Sequence, residues 1–118
     1  MTYVDGFVMA VPTANKDAFR QHADVGAEIF KRHGALAVYE CWGDDVPEGE
    51  INSFHTAVLR KEDEAVVFSW VIWPNKAARD AGNEKVFADM TAAGPEMTDM
   101  PFDGKRMIFG GFQPIVEA

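Results

Sequence analysis

Four stretches of the chain carry apolar runs or alternating apolar and polar positions, the patterns that are typical of β-strands. They span Tyr3–Val11, Ala35–Gly43, Ala65–Trp73 and Lys105–Ile115. The third stretch is apolar almost throughout, so we expect it to lie in the centre of a sheet. The fourth holds two adjacent glycines at positions 110 and 111, which indicate either a β-bulge or a close backbone approach.

Two further segments place apolar or small residues at helical spacing. The first runs from a capping Asn15 to about Arg32, and Gly34 closes it. Its inner stripe consists of Phe19, His22, Gly26, Ile29, Phe30 and His33. The second runs from a capping Asn75 to about Met90. Its inner face carries Ala78, Ala81, Gly82 and Val86. The i,i+4 ion pairs predicted on the two helices are Arg20–Asp24, Glu28–Arg32, Lys76–Asp80 and Lys85–Asp89.

The connecting segments give weaker signals. Residues 44–50 form a turn-rich loop, and residues 61–64 form a polar turn. Residues 54–59 fit a short strand or a short helix equally well. Residues 91–103 contain two prolines and are predicted as a loop, with room for a short helical turn.

The two halves of the chain repeat one order of elements. In both, a strand is followed by proline and then by an Asn-Lys pair that opens a helix, at residues 15–16 and 75–76. The order is therefore βαββαβ, which is typical of a ferredoxin-like α+β domain. We expect one domain over residues 1–118, an antiparallel sheet in the order 4-1-3-2, and both helices on one face.

The sheet has more apolar surface than two helices can cover. Phe68, Trp70 and Ile72 should point to one side of the third strand, and Val71 and Trp73 to the other. An apolar face of that size is rarely left open on a monomer. We therefore expect a homodimer in which two sheets pack face to face.

Composition excludes several classes of partner. The net charge is −8 and the pI is about 4.7, so we expect neither a nucleic acid nor an anionic membrane surface as a partner. The one cysteine, Cys41, forms no internal disulfide, which suits a reducing cytoplasm. The N-terminal residues do not resemble a signal peptide, and no apolar run is long enough to span a bilayer.

Three residues are candidates for proton transfer. Asp5 is a carboxylate in an apolar strand, where Lys105 or Arg106 of the fourth strand could pair with it. It is either a general base or half of a structural ion pair. Glu40 shares a face with Trp42, so burial would raise its pKa, unless it is only a hydrogen-bonded interface residue. His22 is either a base facing the sheet or a hydrogen-bonded core histidine.

Other residues are candidates for ligand contacts. A pocket lined by tryptophans would suit a flat aromatic molecule, and Lys105 or Arg106 would stabilise a developing anion. The candidate ligand contacts are Tyr3, Trp42, Ser69, Trp70, Lys105 and Arg106. The dispersed histidines and single cysteine match no metal motif, and the glycines match no phosphate-binding motif, so we expect no metal and no cofactor.

Five segments also carry a resemblance to a known family: YVDGFV at 3–8, YECWGDDVP at 39–47, VFSWVIWP at 67–74, KAARDAGNEKV at 76–86 and PFDGKRMIFGGF at 101–112. They resemble the YbaA-like family, domain of unknown function 1428, over nearly the whole chain. The resemblance implies the dimeric α/β-barrel superfamily, whose members include cofactor-independent monooxygenases, haem-degrading enzymes and muconolactone isomerase-like proteins. It supplies no catalytic residues.

Two functions follow as expectations. The first is binding of an apolar or aromatic small molecule between helices and sheet, with cofactor-free monooxygenase-like or isomerase-like chemistry. The second is a non-catalytic binding or stress-related interaction module. An open pocket bordered by the candidate residues favours the first, and a solid core favours the second.

Overall fold

The computed structural model describes residues 1–118 and contains one antiparallel sheet with helices. Its strands are β1 (Tyr3–Pro12), β2 (Ala37–Trp42), β3 (Glu64–Trp73) and β4 (Ile108–Phe112). Its helices are α1 (Lys16–Arg32), α2 (Phe54–Ala57), α3 (Lys76–Ala93) and α4 (Pro95–Thr98). Short 3-10 turns lie at Thr13–Asn15 and Gly104–Arg106. No helix combines the length and the apolar character that crossing a membrane requires.

The strand order is β2-β3-β1-β4, which confirms the order predicted from the sequence. β1 and β3 pair over their full lengths, from Tyr3 opposite Trp73 to Pro12 opposite Glu64. β2 and β4 are the edges. The apolar run of β3 is therefore central, as expected for a strand buried on both faces.

The core lies between the sheet and the two long helices. Trp73 is fully buried and packs with Ile29 of α1, Val71 of β3 and Val86 of α3. Gly82 of α3 makes room for it, because a Cβ atom at Gly82 would overlap the indole ring. A second cluster contains Met9, Val11, Phe19 and Val67. Both long helices thus cover the same face of the sheet, as predicted.

The helix ends agree with the sequence in part. Asn75 caps α3, since its side chain accepts a 2.8 Å hydrogen bond from the backbone N–H of Ala78, and Gly34 follows α1 with a φ of +106°. Asn15 occupies the predicted N-cap position of α1, but its side chain makes no capping hydrogen bond and instead donates to the carbonyl of Pro101, at 3.0 Å. The prediction that Ala81 lies on an inner face is also wrong, because Ala81 is exposed.

One of the predicted helix ion pairs forms. Lys76 Nζ lies 2.8 Å from Asp80 Oδ2. The predicted pairs Arg20–Asp24, Glu28–Arg32 and Lys85–Asp89 are absent. Asp89 instead contacts Arg32, the last residue of α1, at 3.3 Å, and His33, which follows it, at 2.6 Å. These contacts join the two long helices, a tertiary arrangement that spacing along one helix does not encode.

The ambiguous segment at 54–59 is the short helix α2. A capping box between Ser53 and Thr56 holds its first turn. Val58 follows it and is fully buried against Val8, Ala10 and Val66. The segment therefore covers one end of the sheet face that the long helices leave uncovered.

The rest of that second face is uncovered in the monomer. We call it the open face, and it consists of Val4, Tyr39, Phe68, Trp70, Ile72, Ile108 and Phe112. Phe68 is 43% exposed, Ile108 46% and Phe112 60%. The prediction that this face is apolar agrees with the structure.

The predicted last strand is too long at both ends. In the structure, β4 begins at Ile108 and ends at Phe112. Lys105 and Arg106 lie in a 3-10 turn, where the Asp103 side chain accepts a 3.0 Å hydrogen bond from the Lys105 N–H. The predicted bulge is absent, because β4 pairs with β1 without interruption. A Cβ at Gly111 would collide with Tyr3 and Arg79, so glycine here permits the close approach of two side chains.

Candidate functional site

The candidate site is a groove between α1 and the edge strand β2, and we call it the Glu40 groove. Its volume is about 340 Å³. Alternation along β2 puts Val38, Glu40 and Trp42 on one side of the strand, as the sequence pattern predicted, and in the structure that side faces α1. One stripe of α1 forms the opposite wall, and the small side chains of that stripe leave the groove open. The α1 residues that line it are Lys16, Asp17, Phe19, Arg20, Ala23, Asp24 and Ala27.

Glu40 is held in this groove by Ser69. The two residues are paired across β2 and β3, and Ser69 Oγ donates a 2.8 Å hydrogen bond to Glu40 Oε2. Ser69 is 1% exposed, so its hydroxyl is fixed within the sheet. Glu40 Oε1 accepts no hydrogen bond from the protein and is available to a ligand.

The surroundings of Glu40 raise its pKa. Loss of hydration beside the groove walls is the largest cause, and the hydrogen bond from Ser69 and the nearby His22 partly oppose it. Glu40 nevertheless remains exposed by surface area. The two findings are compatible, because neighbouring protein atoms displace water around a carboxylate without touching it. A reachable carboxylate with a raised pKa is suited to accepting and returning protons.

An aromatic surface and two cations accompany the carboxylate. Phe19 is buried, and its ring lies 6.3 Å from that of Trp42. Lys16 Nζ lies 5.2 Å from the centre of the Trp42 ring, in a cation–π contact. Arg20 lines the same wall.

Asp5 lies in a different and fully bonded environment. It is 4% exposed and accepts hydrogen bonds from Trp73 Nε1 at 3.0 Å, Arg79 Nε at 3.0 Å and Asn83 Nδ2 at 3.2 Å. Arg79 Nη2 lies 2.9 Å from Asp5 Oδ1. The hydrogen bond with Asp5 is the largest cause of the raised pKa of Arg79. This network binds α3 to β1 and leaves Asp5 with few sites for a ligand.

The prediction that Lys105 or Arg106 pairs with Asp5 is wrong. Arg106 instead forms a two-pronged ion pair with buried Glu64, with nitrogen–oxygen distances of 2.7 and 2.6 Å. It also lies 3.0 Å from Asp103. The hydrogen bond from Arg106 is the main reason that the pKa of Glu64 falls to about 2. Arg106 therefore fixes the segment before β4 to the start of β3, while Lys105 is exposed.

Sequence reasoning missed Arg79 and Glu64. Arg79 shares helical spacing with Gly82 and Val86, the buried residues of α3, and this spacing is the signal in the sequence that places it on the inner stripe. The sequence pattern places Glu64 in a polar turn, yet it is the first residue of β3 and is 5% exposed. No local pattern distinguishes it from its exposed neighbours Glu62 and Asp63.

The remaining predicted residues lie in three separate places. His22 Nε2 is 3.0 Å from the carbonyl of Met97, and Met90 occupies the space beside Gly26. Tyr3 lies under the Arg79 guanidinium, 5.1 Å from ring to cation. Trp70 stacks on Tyr39 at 5.0 Å on the open face. The prediction of a single pocket lined by Trp42, Trp70 and Trp73 is therefore wrong, because Trp70 lies on the opposite face of the sheet from the other two. Of the predicted residues, the structure brings together Glu40, Trp42 and Ser69, with His22 near enough to lower the pKa of Glu40.

The side chains form no cluster of three or more His, Cys, Asp or Glu that could hold a metal ion. The Glu40 groove offers the Glu40 carboxylate, an aromatic wall and two cations, and the carboxylates of Asp17 and Asp24 also line it. These groups suit acid–base chemistry on an organic molecule.

Two solved structures resemble the fold. A mutant of SnoaB, a cofactor-independent oxygenase from Streptomyces nogalater, matches with a TM-score of 0.57 and 16% identity over 98% of this chain and 93% of SnoaB. Rv0793 of Mycobacterium tuberculosis matches with a TM-score of 0.51 and 12% identity over 100% of this chain and 99% of that one. The fold is therefore a ferredoxin-like α+β fold with one four-stranded antiparallel sheet.

The sequence comparisons identify the family. YbaA of Escherichia coli K12, whose name is "Uncharacterized protein YbaA", is 50% identical over 121 residues and covers 99% of both chains. YbaA of Shigella flexneri matches to the same extent. Residues 2–104 match the family model "Protein of unknown function (DUF1428)". Because this model spans most of the chain and YbaA aligns from end to end, the chain belongs to the DUF1428 family.

Proposed function

We propose that this protein binds a flat apolar or aromatic molecule in the Glu40 groove and that Glu40 removes and returns a proton on that molecule. The observation that carries the proposal is an accessible carboxylate with a raised pKa beside an aromatic wall. A base works best when its pKa approaches the working pH, and the groove moves the Glu40 pKa in that direction.

The geometry gives each oxygen of the carboxylate a role. Ser69 holds Oε2 at 2.8 Å, which fixes the orientation of the carboxylate. Oε1 then accepts the proton. A carbon–hydrogen bond of the substrate breaks, an oxygen–hydrogen bond forms on Glu40, and the electron pair moves into the substrate as an enolate. Return of the proton to a different carbon completes an isomerisation without any further reactant.

The same proton removal is the first step of a cofactor-free oxygenation, in which the resulting carbanion reacts with dioxygen. The likeness to SnoaB concerns the fold alone, because identity is 16%. What supports acid–base chemistry in this chain is Glu40 with its own neighbours.

We also propose that the protein works as a homodimer joined through the open face. A depression of about 640 Å³ on that face is lined almost entirely by apolar residues. Phe112 lies over Gly6 and Gly110, and a Cβ on either glycine would be 3.4–3.5 Å from its ring. A second copy would remove this surface from water, and a two-fold axis lets the same patch serve both subunits.

A specific observation favours the alternative, a non-catalytic module. The space between the sheet centre and α3 is filled by Trp73 against Gly82. The Asp5 carboxylate likewise receives hydrogen bonds from protein side chains, those of Trp73 and Arg79. Under this alternative the Glu40 groove is a surface feature that takes no ligand.

Deuterium exchange into 2-tetralone separates the two functions. The acidic C–H group of this ketone lies beside a flat aromatic ring. NMR follows the incorporation of deuterium in D₂O. We expect the protein to accelerate exchange and Glu40→Gln to lose most of the acceleration. Glu84→Gln, which changes an exposed carboxylate on α3, is the matched control and should keep it. Equal exchange by the wild type and Glu40→Gln would overturn the catalytic proposal.

A further inference from the structure

We infer that Lys16 and Arg20 form an oxyanion-binding element in the Glu40 groove, and that the substrates are molecules whose oxygen becomes negative when a carbon-bound proton is lost, such as enolisable aryl ketones. The inference rests on the proposed function, since it assigns the substrate class of the same groove. It assigns to α1 the anion-stabilising role that the sequence suggests for Lys105 and Arg106.

The two cations of the groove have no carboxylate partner in the protein. Four of the eleven Lys and Arg residues of the chain form ion pairs with carboxylates, namely Arg32, Lys76, Arg79 and Arg106. Neither Lys16 nor Arg20 lies within 4.0 Å of a carboxylate oxygen, even though Asp17 and Asp24 line the same groove. In a chain of net charge −8, two unpaired cations that face one groove remain free to bind an anion.

The placement of the two cations suits a ligand on the aromatic wall. Lys16 and Arg20 are four residues apart on α1, so they are neighbours on one side of the helix. The contact of Lys16 with the Trp42 ring places its ammonium group 5.2 Å from the centre of that ring. A flat molecule packed on the wall, with its acidic proton toward Glu40 Oε1, would bring its oxygen within reach of the cations.

The movement of charge during the reaction also calls for cations at this position. Before proton transfer the negative charge is on Glu40, and afterwards it is on the substrate oxygen. Donors that are already in place stabilise that oxygen without reorganising water. Asp17 and Asp24 oppose a general attraction for anions, so binding should depend on local contact with Lys16 and Arg20 rather than on the net charge of the groove.

The test compares two probes with the same ring system, 2-naphthoate and neutral 2-naphthalenemethanol. Binding is followed by ¹H–¹⁵N NMR, which also shows whether resonances of α1 and β2 move. We expect naphthoate to bind more tightly than the alcohol. Lys16→Gln and Arg20→Gln should each weaken naphthoate binding by roughly two- to five-fold, the range for accessible ion pairs, and leave the alcohol unchanged. Lys85→Gln, at an exposed unpaired lysine of α3, should change neither.

Glu40→Gln provides a second, independent readout. Removal of the carboxylate charge should tighten naphthoate binding, while exchange into 2-tetralone is lost. Equal affinities for the two probes at the groove, or naphthoate binding that survives both cation substitutions, would overturn the anion-binding role and leave the proposed function standing. Failure of both probes to move resonances of α1 and β2 would overturn the proposed function as well.

Discussion

Trp73 Nε1 donates a 3.0 Å hydrogen bond to Asp5 Oδ2 and so joins the ends of two neighbouring strands inside the core. Both residues are buried, at 0% and 4% exposure. The same carboxylate accepts from Arg79 and Asn83 of α3. One side chain therefore connects β1, β3 and α3, and the fold depends on its charge.

Asp5→Asn should accordingly destabilise the protein. The amide cannot neutralise Arg79, and it presents a donor where the carboxylate accepted. We expect a loss of about 2–3 kcal/mol in the free energy of unfolding, below the usual range for a broken buried pair because Arg79 is 23% exposed. Urea denaturation measures it. Asp80→Asn removes exposed contacts with the same Arg79 and with Lys76, and it should cost much less because solvent screens exposed ion pairs. Equal losses in the two variants would contradict the central role of Asp5.

The ion pair between Glu64 and Arg106 should make the free energy of unfolding depend on pH in the acidic range. The pKa of Glu64 is about 2 in the folded protein, against an ordinary value of 4.5. A lowered folded pKa means that the unfolded chain binds the proton first, so the stabilisation is present above about pH 4.5 and is lost between pH 4.5 and 2. Melting temperatures of the wild type and Glu64→Gln, measured from pH 6 to 3, test this.

We expect the wild type to be more stable than Glu64→Gln at pH 6, with a difference that shrinks as the pH falls below 4.5. The comparison isolates Glu64, because the other carboxylates titrate in both proteins. A difference that stays constant across this range, or grows toward low pH, would show that Arg106 does not stabilise the charged form of Glu64.

The fold was predictable because its main features are periodic. Alternation along β2 and β3 grouped the residues that share a face, although it did not tell which group faces the helices, and the apolar run of β3 placed that strand in the centre. The same method failed at Lys105 and Arg106, since the Asp103 side chain holds a 3-10 turn there. Periodicity counts residue types and cannot register a local hydrogen bond that ends a strand.

The site was less predictable, because it depends on pairing across strands. Alternation placed Glu40 beside Trp42, but only the register sets Ser69 opposite Glu40. The partner of Asp5 was missed for a similar reason. An inner helix face is predicted from apolar residues, yet Arg79 lies there because Asp5 neutralises its charge.

The open face should decide the oligomeric state. We expect a dimer of roughly twice the 13.1 kDa chain mass at micromolar concentration. Phe112→Glu should give a monomer, because it places a charge on a surface that the partner would desolvate. Phe87→Glu is the matched control, since Phe87 is also exposed but lies on α3. Sedimentation equilibrium measures the masses, and circular dichroism checks that each variant is folded.

A monomeric wild type would show that the homodimer proposal is wrong. If Phe87→Glu is a monomer while Phe112→Glu remains a dimer, the subunits instead meet through the side of the sheet that the long helices cover. Neither result would touch the assignment of Glu40, because its groove lies between α1 and β2 of a single chain.

Ser69→Ala should shift the pH dependence of proton exchange rather than abolish it. The hydrogen bond from Ser69 lowers the pKa of Glu40 and opposes the effect of lost hydration. Without it, the pKa of Glu40 should rise further, and the pH at which the exchange rate into 2-tetralone reaches half of its maximum should move upward with it. Ser53→Ala, which removes the cap of α2 far from the groove, should leave the profile in place. Glu40→Gln should have no such profile at all. If Ser69→Ala instead left the midpoint unchanged or moved it down, the titrating base would not be Glu40 held by Ser69, and a carboxylate elsewhere would have to supply the chemistry.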